Sequence, residues 1–430
     1  MAPLITPVQT SLDLPEATTV VVIGGGIIGL VAALVLAERG TPVVVLEKGR
    51  IAGEQSSRNQ GWIRKMSRSA PDVPLAMAAD SLWDGLAARV GADVGYRRAG
   101  ILYLARNDSD LAMHQGWLDS VRDLALDSRQ ISASRIATLV PGGSGHWAGG
   151  LYTPSDGRAE PTLAASAIAR AAMAQGAVIV EHCAVRTLSL AAGRIAGVVS
   201  ERGEIRCEQV LLAGGLWSRR FLGNLGIDLP TLPLVASILR TAPLQGPCDI
   251  TVGAPDFSFR KRLDGGFTIS HRGILSAPLT LDSLLLGRRY LGALRGQWQN
   301  LQPSIGRELF DDLLLGRRWR ADQVSPFERV RTLDPPADPR VNAEALRNLA
   351  AAWPMFKDAV VKQAWSGALD VTPDSLPVIG PVAKIPGLTL ASGFSGHGFG
   401  TAPAAGQLAA DLICATRPVV DPRPYRLERF

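Results

Sequence analysis

Residues 19–47 read TVVVIGGGIIGLVAALVLAERGTPVVVLE, and the order of residue types in this stretch decides the fold. Positions 19–23 are apolar and β-branched, which suits a parallel strand covered on both faces. Gly24, Gly26 and Gly29 give G-x-G-x-x-G, with Ile27 and Ile28 between the last two. The spacing predicts a helix over 27–39 that Gly40 ends. Positions 41–46 predict a second strand, and Glu47 stands at its end, 18 residues past Gly29. Each part has a physical reason. Gly24 permits the tight turn, Gly26 omits a side chain that would block a pyrophosphate, and Gly29 lets helix and strand approach closely. The helix N-terminus offers free N–H groups and the positive end of its dipole to phosphates. A carboxylate at Glu47 can accept from both ribose hydroxyls and repels a 2′-phosphate. The stretch therefore predicts a dinucleotide-binding βαβ unit.

The same glycines dispose of a competing reading. Positions 20–37 are 18 residues without a charge, enough for a hydropathy window to mark a membrane span. Gly24, Gly25, Gly26 and Gly29 divide the run into a buried strand and a buried helix. Composition agrees: of 430 residues 47% are hydrophobic and 20% charged, which fits neither a disordered nor a fibrous chain. Length predicts two or three folding units. The net charge is +6, carried almost wholly by arginine, since lysine occurs six times. The arginines are scattered without the runs or interleaved aromatics of a nucleic-acid surface, so no nucleic-acid partner is expected. Cys183, Cys207, Cys248 and Cys414 form no C-x-x-C pair, so no metal site and no disulfide framework is expected. Reduced thiols point to the cytoplasm. Residues 1–17 lack the basic start and apolar centre of a signal peptide and read as a flexible leader.

Two further segments have the character of ligand loops. Glu54-Gln55-Ser56-Ser57-Arg58-Asn59-Gln60-Gly61 brings small hydroxyls and amides soon after the acidic residue, suited to phosphate and flavin edges or to a solvated loop. The fingerprint alone does not separate FAD from NAD; its position and this segment favour FAD. Near the other end, a strand over 388–390 leads into Gly393, Gly396, His397, Gly398, Phe399, Gly400 and Thr401, then a helix over about 404–415 with Thr401 as N-cap and Pro403 in its first turn. Glycine at this density lets backbone N–H groups approach a ligand, and the helix start sets a positive dipole beside a developing anion.

With these residues in place, the chain resembles the FAD-dependent amine and D-amino-acid oxidoreductases: glycine oxidase, sarcosine oxidase, D-amino-acid dehydrogenase and relatives. The shared features are the glycine fingerprint with Glu47, Ser56-Ser57-Arg58-Asn59, Ala213-Gly214-Gly215-Leu216-Trp217-Ser218, Trp365-Ser366-Gly367 leading to Thr372-Pro373-Asp374, and the 393–400 loop, all in family order. The resemblance adds Lys48, Gln60, Val185, Ala213, Gly214 and Trp217 to the expected noncovalent FAD contacts. It implies an α/β fold, a Rossmann-like FAD-binding domain of the glutathione-reductase type with an inserted, mostly antiparallel α+β substrate domain. The expected FAD domain gathers 18–95, 146–235 and 365–430, and the substrate domain takes 96–145 and 236–364.

The family chemistry is hydride transfer from the carbon beside a neutral amine to flavin N5, giving an imine that hydrolyses. A substrate carboxylate would need a cation, best a bidentate arginine. Arg64 and Lys65, just past the flavin segment, and Arg260, Lys261 and Arg262, before the Asp264-Gly265 hairpin, are the candidates. His397 matches the family histidine of the flavin loop, although a structural histidine is an equal reading. Three departures bear on substrate and acceptor. Gly367-Ala368-Leu369-Asp370 replaces the family's Gly-Leu-Arg-Pro, so that carboxylate anchor is absent. Gly400 and Thr268 stand where sarcosine oxidases carry lysines, and no cysteine stands where they attach flavin covalently. The expectation is an FAD-dependent dehydrogenase or oxidase of a small amino acid or secondary amine. Its acceptor would be O2 or a quinone or electron-transfer partner, with no membrane span and its oligomeric state open. A hydroxy-acid or polyol enzyme of the same fold, and a flavoprotein subunit of a larger or RNA-modifying complex, are the alternatives.

Overall fold

The computed structural model describes residues 2–292, 301–304 and 306–430. Met1 of the expected leader and residues 293–300 and 305 of the expected second domain lie outside the described residues. The expected unit forms as β1 (Val20–Ile23), α1 (Ile27–Glu38) and β2 (Val43–Leu46). β1 and β2 pair in parallel, Val20 opposite Val43 through Ile23 opposite Leu46, and both are buried throughout. They sit in a six-stranded sheet ordered Val378–Pro381, Leu388–Ser392, Gln209–Leu212, β1, β2, Val178–Val180, in which only Val378–Pro381 runs antiparallel to its neighbour.

α1 is apolar on every side because every side is covered. Pro161–Ala174 and Gly398–Ile413 pack against it. Gly406 makes the second crossing close: a Cβ there would lie 2.7 Å from Val31 Cβ. Arg39 caps α1, and Gly40 ends it at φ +72°, a left-handed conformation glycine adopts without strain.

A ten-stranded, mostly antiparallel sheet forms the other half. Its centre is Leu232–Thr241, paired on one edge with Phe267–Ser270 and on the other with Val361–Val371. Ser258–Lys261, Thr251–Gly253, Ile101–Ala105, Gly149–Thr153 and Arg129–Ile131 extend it. Its core is aromatic: Phe257, Phe259, Phe267, Trp353 and Phe356 are all buried and in ring contact. The Asp-Gly hairpin read from the sequence joins Ser258–Lys261 to Phe267–Ser270, with Gly265 at φ +79°. The α/β class with a Rossmann-like sheet and an antiparallel second sheet is therefore the observed one.

Three sequence expectations change. Gly149–Thr153, inside the expected FAD segment 146–235, and residues 365–371 of the strand Val361–Val371, inside the expected segment 365–430, hydrogen-bond into the large sheet. Residues 2–17 are not loosely held: Thr6 N–H donates to Thr162 O (3.3 Å), Ser11 N–H donates to Ile179 O (2.8 Å), and Ile5 and Val8 pack on the nucleotide-side core. Apolar residues in the leader give it surface to bury. Finally, the last long helix begins at Gly398, with His397 as N-cap and Pro403 inside it. Thr401 is not the cap; its hydroxyl donates to His397 O at 3.1 Å.

Candidate active site

The glycine fingerprint makes a turn that no other residue fits. Gly24 has φ +111°, and a Cβ there would lie 2.5 Å from Ala213 O. A Cβ on Gly29 would lie 2.2 Å from Gly24 O. At Gly26 the nearest obstacle is Ser56 Oγ, 3.3 Å away, so its face stays open. A cavity runs from this turn past Ile27, Ile28, Glu47 and Lys48, along Val185, Ala213, Gly214 and Trp217, to Gly396, Gly398 and Phe399. One helix start stands at each end, α1 and Gly398–Ile413, so backbone dipoles favour negative charge at both.

Glu47 is held in place by its own loop. Its carboxylate accepts from Gly25 N–H (2.8 Å) and Gly49 N–H (2.7 Å). Burial raises its pKa, against Lys48 and those two N–H groups, which act the other way. Lys48 does not extend into the cavity as a free charge. It pairs with Glu54 (2.8 Å), donates to Val330 O and Arg331 O, and lies 4.2 Å from the Trp217 ring centroid. Trp217 in turn donates its indole N–H to Glu54 (3.0 Å).

The polar segment after Glu47 divides. Ser56 and Asn59 line the cavity, Ser56 Oγ accepting from Ile27 N–H at 2.9 Å. Ser57, Arg58 and Gln60 do not line it. The buried Arg58 donates to Gly53 O and Ser366 O and pairs with Asp334 at 2.6 Å. Gln60 is hydrogen-bonded to Ser258 and Ser270 of the large sheet. These side chains join the two halves of the molecule. Gly29, Gly393, Gly400 and Thr401 likewise stand behind the lining. Gly400 is required by packing, since a Cβ would lie 2.9 Å from Trp62 O.

Four of the five candidate substrate cations are already neutralised. Lys65 is buried between Asp80 (2.7 Å) and Asp156 (3.4 Å). Arg260 is buried on Glu160 (2.8 Å), and Arg262 lies 3.8 Å from the same carboxylate. Thr268 is buried with its hydroxyl accepting from Arg260 and Arg262, so it faces the ion pair. Lys261 pairs with Asp249 at 3.0 Å.

Arg64 differs. It donates to Met66 O and, through Nη2, meets His397 Nε2 at 3.1 Å. Burial and the nearby Arg68 and Arg64 charges push His397 far below its ordinary pKa, so the ring is neutral. An arginine only donates, so Nε2 is the acceptor and the proton is assigned to Nδ1. The sequence missed Arg272, whose guanidinium carbon lies 3.7 Å from the Tyr103 ring centroid and 5.9 Å from that of Trp62. Arg64 approaches the same Tyr103 ring at 5.9 Å. Arg272 lies just after the second strand of the Asp-Gly hairpin, whereas the cations expected from the sequence lie before it. It also missed Asp370, buried in the cavity wall and accepting from Gly393 N–H at 2.7 Å.

The family model for FAD-dependent oxidoreductases matches residues 19–412. This chain belongs to the FAD-dependent oxidoreductase family. Among family members it is 28% identical to glycine oxidase of Pseudomonas aeruginosa, over 94% of this chain and 97% of that one. It is 24% identical to mitochondrial sarcosine dehydrogenase of Mus musculus, over 99% of this chain but only 43% of that longer protein. The solved structure of L-amino acid deaminase from Proteus myxofaciens in complex with anthranilate superposes with a TM-score of 0.95 at 33% identity, covering 100% and 97% of the two chains. The cradle fits the family's cofactor: the open face at Gly26, the Glu47 carboxylate and the Gly396–Phe399 helix start border one continuous cavity. Among the described residues, no group of three or more His, Cys, Asp or Glu side chains could hold a metal ion, and no helix is long and apolar enough to cross a membrane.

Proposed function

We propose that this family member oxidises the C–N bond of a small amino acid or secondary amine, as a dehydrogenase or oxidase, with FAD bound noncovalently. The observation that carries this reading is the continuous cavity whose far rim, Gly396 and Gly398, flanks the His397 that positions Arg64. When bound, FAD supplies a two-electron acceptor that takes a hydride from the carbon bearing nitrogen, while nitrogen loses a proton and water hydrolyses the resulting imine. Gly26 and the start of α1 would receive the pyrophosphate and Glu47 the ribose hydroxyls. The start of Gly398–Ile413 would offset negative charge gained on reduction. Arg272 and Arg64 would hold substrate carboxylate, fixing the reacting carbon in place. None of the four cysteines lines the cavity, which supports a noncovalent cofactor. Free thiols fit a cytoplasmic location. Oligomeric state and the final acceptor, O2 or a quinone or carrier protein, belong to the same proposal. Anaerobic mixing of the yellow holoenzyme with an amine panel tests it: bleaching by amino acids or secondary amines supports it, and readmitted air separates oxidase from dehydrogenase. Bleaching by hydroxy acids alone would replace it.

A further inference from the structure

The charge around Tyr103 is not balanced. Arg58, Lys65, Arg68 and Arg260, all buried, each have a carboxylate partner within 2.8 Å. Among the described residues, Arg64 and Arg272 have none within 4.0 Å, although both are only partly open to solvent. Each is instead positioned by neutral groups. Met66 O and the neutral His397 ring hold Arg64; the Tyr103 face and, at 3.5 Å, Ala254 O hold Arg272. Burial lowers the Arg272 pKa, as does the charge of Arg64. Two partly desolvated cations beside one ring, neither with a carboxylate partner, carry a cost that a bound anion offsets.

The two come from different halves of the molecule. Arg64 follows the short strand Trp62–Ile63, on which the Gly398–Ile413 helix start rests. Arg272 follows Phe267–Ser270 of the large sheet and covers Tyr103 of Ile101–Ala105. Ligand sites favour such junctions. From their distances to one ring centroid, 3.7 and 5.9 Å, the two guanidinium carbons stand less than about 10 Å apart. That is within the span a short dicarboxylate covers when each of its carboxylates makes N–O contacts of about 2.7–2.9 Å with one arginine. Trp62 and Tyr103, with ring centroids 5.9 Å apart, supply an apolar wall beside it.

We infer that the substrate is an amino dicarboxylate, one carboxylate bound by Arg272 and the second by Arg64. This rests on the amine-oxidising reading for its chemistry, but the paired-anion site is a property of binding alone. Arg64 thereby sets specificity, and His397 is a positioning residue that fixes its guanidinium without adding charge.

The test uses the holoenzyme and two readouts. Perturbation of the oxidised flavin spectrum gives dissociation constants for the unreactive pair glutarate and butyrate. Anaerobic bleaching compares each diacid with a partner that lacks the second charge: glutamate with glutamine, aspartate with asparagine, iminodiacetate with sarcosine. The expected result is at least tenfold tighter binding of glutarate than butyrate, and faster bleaching by the diacids. Arg64→Gln should reduce the glutarate-to-butyrate ratio at least tenfold, and Arg64→Lys should restore part of it. Equal binding of glutarate and butyrate, or a ratio that Arg64→Gln leaves intact, overturns the inference. If no amine bleaches the flavin yet the glutarate preference and its loss in Arg64→Gln are seen, the amine-oxidation reading fails and the dianion site stands.

Discussion

Gly29 of the first helix turn lies so close to Gly24 that a Cβ on Gly29 would stand 2.2 Å from the Gly24 carbonyl oxygen. That oxygen is backbone and cannot rotate away. Gly29→Ala should therefore push α1 off the β1 turn and open the phosphate cradle. The expected outcome is protein purified without flavin and a destabilisation of about 1–3 kcal/mol, typical of overpacking. Flavin absorbance per protein and a thermal melt check it; a yellow, fully stable variant would refute this packing.

Glu47 carries a second relationship with the cradle, through the N–H groups of Gly25 and Gly49. Glu47→Gln keeps an acceptor for one N–H group but loses the charge that ribose hydroxyls would meet. FAD affinity should fall by about 1.5–3 kcal/mol, the contribution of a charged hydrogen bond. Equilibrium dialysis against FAD measures this directly, and unchanged affinity would remove Glu47 from the ribose site.

Asp370 gives a pH signature. Burial pushes its carboxyl up to about 6, against the Gly393 N–H, which favours the ionised form. The fold thus prefers the protonated acid. Its stabilising share is full below the unfolded carboxylate pKa, near 4, and is lost as pH rises through about 6. Asp370→Asn removes this loss, so the melting-temperature difference, variant minus parent, should grow between pH 4 and pH 7 by the equivalent of up to about 3 kcal/mol. A difference constant with pH would show that Asp370 does not titrate there.

The Arg260–Glu160 pair predicts stability rather than kinetics. Both side chains are buried and 2.8 Å apart, and Glu160 also accepts from Leu263 N–H. Glu160→Gln leaves Arg260 buried without a countercharge, which should cost on the order of 3–5 kcal/mol. Denaturant unfolding reads that loss. A stable variant with an altered substrate dissociation constant would instead return Arg260 to the substrate site.

How much of this was legible in the sequence follows from the range of the interactions. The βαβ unit and Glu47 are written in consecutive residues, with glycine spacing and strand composition acting locally. The head of Gly398–Ile413 was misplaced because Pro403 suggested a first turn, whereas His397 caps the helix and glycines admit the neighbouring Trp62 backbone. Lys65 and Arg260 read as substrate groups because buried carboxylates beside them lie far away in the chain: Asp156 is 91 residues after Lys65 and Glu160 is 100 residues before Arg260. Arg272 was missed for the same reason, since Tyr103, which positions it, belongs to another strand of the sheet. Arg64 was found because it follows the flavin-side segment directly, but its lack of a countercharge is visible only in three dimensions.

On this reading FAD, when bound, would accept electrons from an amine held at Arg64 and Arg272. The most direct measurement is the visible spectrum of the purified protein under anaerobic conditions as amino acids, secondary amines and hydroxy acids are added in turn. The expected result is an oxidised flavin spectrum bleached by amines bearing carboxylates, with Arg272→Gln slowing the bleaching at subsaturating amine. A flavin that hydroxy acids bleach and no amine does, or a colourless protein that FAD cannot reconstitute, would contradict it.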